Sequence, residues 1–157
     1  MELHLIAVGN RMPAWVEEGF ATYAKRMPAA CRLRLTEIAP AKRGRGADVA
    51  RAVTQEGERM LAAVAKGAYV IALEVDGRAW STERLARELA DWMQAGRDVA
   101  LLVGGPEGLA PACRARADLA WSLSPLTLPH PLVRVVLAEQ LYRAASILGN
   151  HPYHRAG

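Results

Sequence analysis

The stretch Val99-Ala100-Leu101-Leu102-Val103-Gly104-Gly105-Pro106-Glu107-Gly108 runs five apolar residues straight into three glycines and a proline. An apolar run this short, ended by turn residues, reads as a strand buried on both faces, with the glycine cluster as the loop at its carboxyl end. The same alternation extends outward in both directions. Upstream, Leu3 to Val8 and Tyr69 to Val75 are further apolar strands, the second expected to end in a turn at Asp76-Gly77, and Arg32 to Leu35 alternates as a half-exposed strand does. Downstream, a brief strand is expected from Leu119 to Leu123.

Helical segments fill the intervals. Pro13 opens one whose Trp15, Val16, Phe20, Tyr23, Ala24 and Met27 share a face before Pro28 stops it. Asp48 is placed to cap a second, with Val49, Val53, Met60, Leu61 and Val64 at helical spacing and Gly67 after its end. Ser81 or Thr82 caps a third carrying Leu85, Leu89, Trp92 and Met93, closed by Gly96. A short helix from about Pro111 to Ala117 and a long one from Pro131 to Leu148 complete the set. Five strands alternating with helices predict an α/β fold, a mostly parallel sheet of about five strands with helices on both faces, built as one domain over residues 1–157. Ligands of such sheets bind in loops at the carboxyl ends of strands.

The 157 residues are 52% hydrophobic and 23% charged, enough for a real core and against a disordered scaffold. No apolar run approaches the roughly 18 residues of a membrane helix, and the opening MELHLIAVGN lacks the basic start and cleavage site of a secretory signal, so a soluble cytoplasmic protein is expected. Cys31 and Cys113 sit in no metal or redox pattern and read as reduced packing residues. The net charge of +4 comes wholly from residues 1 to 70, which hold 11 basic and 7 acidic side chains. A surplus of that size points to solubility before it points to nucleic acid.

Four segments are candidates for chemistry. Gly104 to Gly108 lets backbone approach a ligand closely, yet it is neither a P-loop nor a dinucleotide fingerprint. Leu123-Ser124-Pro125-Leu126-Thr127-Leu128-Pro129-His130-Pro131 is stiffened by proline and supplies leucines, a composition suited to clasping a flat ring; it would equally serve as a rigid connector. The basic glycine-rich loop with Lys42, Arg43 and Arg45 is the local candidate for phosphate contact, with Arg32 and Arg34 able to extend the patch. The terminal Asn150-His151-Pro152-Tyr153-His154-Arg155 could stack beside an RNA base, donate or accept a proton, and hold phosphate through Arg155. Its HxxH carries Pro152, is read as non-helical and has no third ligand nearby, so no metal is expected. Glu107, Glu139 and Asp118 lack paired-carboxylate spacing, and neither Ser124 nor Ser146 lies in a hydrolase elbow.

Taken together, LHLIAVGNRMPAW, AKRGRGAD, LLVGGPEGL, WSLSPLTLPHPLVRVVLAEQLYRA and NHPYHR, in this order over essentially the whole chain, resemble the SPOUT-class methyltransferases that modify N3 of pseudouridine in large-subunit (23S) ribosomal RNA. The resemblance implies a SPOUT-type sheet with a carboxyl-terminal trefoil knot, S-adenosylmethionine as cofactor, a homodimer, and a ribosome-bound target. It places the cofactor on Leu73, Gly104, Leu123, Ser124, Pro125, Leu126, Thr127 and Leu128, and target positioning and proton handling on Tyr153, His154 and Arg155. It also implies that the tail of one subunit reaches toward the pocket of the other, with Val133, Val136, Leu137 and Leu141 as an apolar stripe for the contact or for the chain's own core. His130 is a weaker site candidate. Arg155 stands where many family members have Lys, and Pro125 at a variable position. A ribosome-associated factor of the same fold without catalysis, and a methyltransferase of transfer RNA, are the competing expectations.

Overall fold

The computed structural model describes residues 1–43 and 47–156. Five strands, β1 (Glu2–Val8), β2 (Arg32–Ile38), β3 (Tyr69–Ala79), β4 (Val99–Val103) and β5 (Leu119–Ser122), pair in parallel in the order β2-β1-β4-β3-β5. The helices are α1 (Ala14–Ala24), α2 (Ala47–Ala63), α3 (Thr82–Ala95), α4 (Pro111–Arg116) and α5 (His130–Leu148), followed by a 3-10 turn over Pro152–Ala156. The central strands β1 and β4 are buried almost throughout, as their unbroken apolar runs require.

Successive side chains of a strand point to opposite faces, and each face has its own core. Leu3, Leu5 and Ala7 of β1, with Val99, Leu101 and Val103 of β4, pack under Phe20 of α1, Leu85, Leu89 and Trp92 of α3, and Leu137 and Leu141 of α5. Ile6 and Val8, with Ala100 and Leu102, meet Met60 of α2 and Cys113 of α4 on the other side. Ser81 rather than Thr82 caps α3, its hydroxyl accepting from the Arg84 N–H at 3.0 Å. The Thr82 hydroxyl instead donates to Gln140 at 2.8 Å and joins α3 to α5.

The structure departs from the sequence expectation in several places: Asp48 lies within the first turn of α2 instead of capping it, and α1 ends at Ala24, ahead of Met27 and Pro28. β3 does not stop in a turn at Asp76-Gly77: Trp121 of β5 pairs with both Leu73 and Arg78, so the residues between them bulge out and the strand resumes. Gly77 marks a close backbone approach, since a Cβ there would lie 2.7 Å from backbone atoms of Ala120 and Trp121. The tail, expected to be irregular, forms the short 3-10 turn.

Arg134 is the charged residue the patterning does not announce. It lies on the apolar face of α5 with Leu137 and Leu141, and it is 1% exposed. Its guanidinium donates to the carbonyls of Gly9 at 2.8 Å and Val8 at 3.4 Å, and pairs with Glu37 of β2 at 2.7 Å. These bonds pin α5 across the carboxyl ends of β1 and β2. Glu37→Ala strips the one carboxylate paired with this buried cation among the described residues, and urea denaturation should show a loss of about 3 kcal/mol, the low end for a broken buried pair because Glu37 itself is one-third exposed.

His4, buried on β1, accepts at Nδ1 from Arg34 (3.2 Å), which leaves the Nε2 proton to Thr36 Oγ1 (2.7 Å). Burial, then the Arg34 charge, holds its imidazole below the ordinary 6.5. The unfolded chain therefore takes up a proton that the native state refuses, and stability falls as pH drops below about 6.5 until native His4 also protonates. Urea midpoints measured at pH 7.5 and 5.5 should separate in the wild type and separate less in His4→Gln.

Candidate functional site

The carboxyl ends of β3, β4 and β5 surround a cavity of about 420 Å³, within the range of small-molecule sites. Three loops and the start of α5 build it. Leu73, Glu74 and Val75 come from β3 and its bulge, Val103 to Pro106, Gly108 and Leu109 from the loop after β4, Trp121 to Ser124 and Leu126 to Pro129 from β5 and its loop, and His130 and Val133 from α5. Of the residues singled out in the sequence, Leu73, Gly104, Leu123, Ser124, Leu126, Thr127 and Leu128 line this cavity together. Pro125 is exposed in the same loop and is not among the lining residues.

The glycine loop is shaped by backbone contact with itself. The Gly108 N–H donates to the Gly105 carbonyl at 2.9 Å, closing a turn with Pro106 at its second position and Gly108, φ +82°, at its fourth. A Cβ on Gly104 would collide with the Gly108 carbonyl carbon and lie 2.6 Å from its oxygen. Glycine is thus required at position 104 by the turn itself, where sequence reasoning assigned the space to a ligand. In the second loop the Ser122 hydroxyl donates to the Ser124 carbonyl at 3.0 Å, and the Ser124 hydroxyl accepts from the Leu126 N–H at 2.9 Å, leaving Leu126 72% exposed at the rim.

The cavity is largely apolar, with little net charge in its lining. Glu74 is the single carboxylate among the lining residues, and Arg114 pairs with it at 2.8 Å. His130 is held below its ordinary value by burial, then by Arg134, so its imidazole is neutral at neutral pH and adds no like charge. Two buried nitrogens of lining residues, Trp121 Nε1 and His130 Nδ1, lack a hydrogen-bond partner among the described residues. Buried polar atoms of this kind ordinarily find a partner, which fits a site completed by a polar ligand or water.

The tail lies elsewhere. The Tyr153 ring packs 4.7 Å from Tyr142 and 6.5 Å from Tyr23, its hydroxyl donates to Glu139 at 3.2 Å, and Arg143 stands 4.9 Å over its face. Burial, with Tyr23 and Glu139 beside it, pushes the Tyr153 phenol well above its usual value, so it keeps its proton. His154 Nε2 lies 3.6 Å from Glu83, and Arg155 donates to Asn150 at 3.1 Å. Glu139 and Arg143 stand nine and thirteen residues along α5 from His130, about 13 and 20 Å of helix. Within one chain, Tyr153, His154 and Arg155 are not brought to the cavity.

In the basic loop, Lys42 is exposed beside Arg51, whereas Arg43 is gripped by Glu56 and Glu107; Arg45 lies outside the described residues. Arg32 is exposed, and Arg34 is taken up by Glu2 and His4. Of the stripe on α5, Leu137 and Leu141 are in the chain's own core, while Val133 and Val136 are only half-buried. Sequence reasoning missed Trp121 and Val133 as lining residues. No group of three His, Cys, Asp or Glu placed to hold a metal occurs among the described residues.

A family model described as predicted SPOUT methyltransferase matches residues 1–154. The chain is 64% identical over 155 residues to ribosomal RNA large subunit methyltransferase H of Thioalkalivibrio sulfidiphilus, covering 99% of each chain. It is 59% identical to the protein of the same name from Methylococcus capsulatus, covering 99% of this chain and 100% of that one. Among solved structures it is similar to a methylase family protein from Neisseria gonorrhoeae, with a TM-score of 0.52 at 15% identity over 89% of this chain and 81% of that one. It is also similar to Lpg2936 from Legionella pneumophila, solved with the cofactor SAM, with a TM-score of 0.50 at 13% identity over 92% and 66%. At these identities the solved structures establish a shared fold.

Proposed function

The chain belongs to the SPOUT methyltransferases, and on that premise we propose that it methylates N3 of pseudouridine in large-subunit ribosomal RNA, with S-adenosylmethionine as donor, on the assembled ribosome in the cytoplasm. The observation that carries the reading is the full-length identity of 64% and 59% to relatives named ribosomal RNA large subunit methyltransferase H. The cavity supports it independently. Its leucines, Trp121 and backbone turns suit an adenine ring, and a neutral His130 adds no charge to repel a cationic sulfonium. Bound there, the donor would supply an activated methyl group. The protein's task is then to align the target nitrogen with it and to remove the imide proton.

We assign cofactor binding to Leu73, Gly104 and the loop from Leu123 to Leu128, and target positioning with proton handling to Tyr153, His154 and Arg155. Tyr153 is a hydrogen-bond donor in this scheme, because its phenol retains the proton. The distance along α5 supports a homodimer in which the tail of one subunit completes the cavity of the other. The half-buried Leu132, Val133, Val135 and Val136 offer the contact surface. The trefoil knot belongs to the same reading: the chain leaves β5 at the sheet edge, and α5 returns to lie with Arg134 on the end of β1. Lys42 and Arg45 are assigned to RNA phosphate, and the whole of residues 1–157 to one domain.

Intact ribosomes lacking the modification, incubated with the protein and methyl-labelled S-adenosylmethionine, should acquire label that maps to a pseudouridine of the large-subunit RNA. Label on transfer RNA alone would overturn the substrate, and no cofactor binding in a titration would favour a non-catalytic factor. Truncation after Asn150 should leave the far-ultraviolet circular dichroism spectrum intact and abolish transfer. Should the truncated chain unfold, His154→Ala at a half-buried position and Arg155→Ala at an exposed one make the same distinction, and full activity in both would remove these residues from the site.

A further inference from the structure

The loop after β2 and the glycine turn after β4 are joined by one guanidinium. Arg43 donates through both terminal nitrogens to Glu56 of α2, at 2.6 and 3.0 Å, and through Nε and one terminal nitrogen to Glu107, at 2.9 and 2.7 Å. Glu56 is a buried anchor: its side chain is 3% exposed, and it also accepts from the Ala41 N–H at 3.0 Å. The Ala41 carbonyl in turn accepts from Arg43 at 3.1 Å. The fork is therefore oriented before it touches Glu107.

Glu107 does not line the cavity, but Gly105, Pro106 and Gly108 on either side of it do. The turn has little else to hold its tip, for Glu107 is one-third exposed and its only side-chain partner among the described residues is Arg43. We infer that Arg43 is a positioning residue for S-adenosylmethionine binding, clamping Glu107 against the buried Glu56 so that the Gly104–Gly108 turn stands preformed as one wall of the cofactor pocket. An ordinary exposed ion pair contributes little because two long side chains must be ordered to make it. Here one partner is already fixed, and the bonds are charge-assisted and forked, so the clamp retains most of its worth. The Glu107 carboxyl, held below its usual range by the Arg43 hydrogen bond, stays ionised throughout the neutral range. Lysine cannot replace the clamp, since a single ammonium lacks the planar fork that spans two carboxylates.

This inference rests on the cofactor reading of the cavity, and the test separates the two. S-adenosylmethionine affinity is measured by titration calorimetry for the wild type, Glu107→Ala, Glu107→Gln, Arg43→Lys, the double variant Arg43→Lys/Glu107→Ala, and Leu126→Arg at the exposed cavity rim. Removing Glu107 leaves Arg43 paired with Glu56, so the core is undisturbed. Both Glu107 variants and Arg43→Lys should weaken binding about tenfold, the scale of a charge-assisted contact. The double variant should be no worse than Glu107→Ala alone, because the pair acts as a unit. The loss should appear in KM for S-adenosylmethionine and not in KM for ribosomes. In the protein without cofactor, amide exchange at Gly108 and Leu109 should accelerate while β4 stays protected. Unchanged affinity in both Glu107 variants, with weakened binding in Leu126→Arg, would overturn the clamp alone. Unchanged affinity in all of them, including Leu126→Arg, would overturn the cofactor pocket and the clamp with it.

Discussion

A buried arginine decides where the last helix can lie. Taking a guanidinium out of water is costly unless its donors find partners, and both terminal nitrogens of Arg134 find theirs at one place, over the carbonyls of Val8 and Gly9 and beside Glu37, while Nε is left without a partner among the described residues. The apolar partners of α5 would allow it to slide or rotate slightly on the sheet, because hydrophobic burial is not directional. Arg134 removes that freedom. His130, one turn earlier, and the adjacent Val133 are thereby set as a wall of the cavity, and the neutral state of His130 follows from sitting buried next to the same guanidinium.

The other walls arise from backbone brought unusually close to backbone. Gly104 packs on Gly108, and Gly77 packs on Ala120 and Trp121, so side chains are absent where the chain folds against itself. The second contact lets β3 resume beyond its bulge, which turns Glu74 and Val75 outward to the cavity. A parallel sheet places all its strand ends on one side, and here three adjacent ends contribute. The site is thus a consequence of topology refined by a few glycine contacts and held at its edge by Arg43.

Much of this was legible in the residues. The strands of the centre announce themselves because both faces are buried, and Val99–Val103 matched to the residue. The glycine and proline-rich loops were recognisable as candidates because their composition has few other uses. What escaped was long-range. Asp76-Gly77 looks like a turn in any local window, and only the approach of β5 makes it a bulge. Arg43 looks like a free cation until Glu56 and Glu107, 13 and 64 residues away, are placed beside it. Arg134 has the spacing of a core residue and the chemistry of a surface one, and local propensity offers no way to choose.

The same limits hold for the tail, whose place in the fold is set by contacts that no local window shows. Its aromatic packing on Tyr142 and Tyr23, and the bond to Glu139, fasten it to the far end of α5. A rigid helix of 19 residues then separates it from the cavity at the other end. Flexibility does not close that gap, because the intervening element is a helix packed on α1 and α3 along its length. A site needing both ends of α5 must draw them from two copies, and a helix that presents half-covered valines near the cavity end offers a surface on which the second copy can lie. If the tail serves the cavity as proposed, the length of α5 between them is the physical reason to look for a pair.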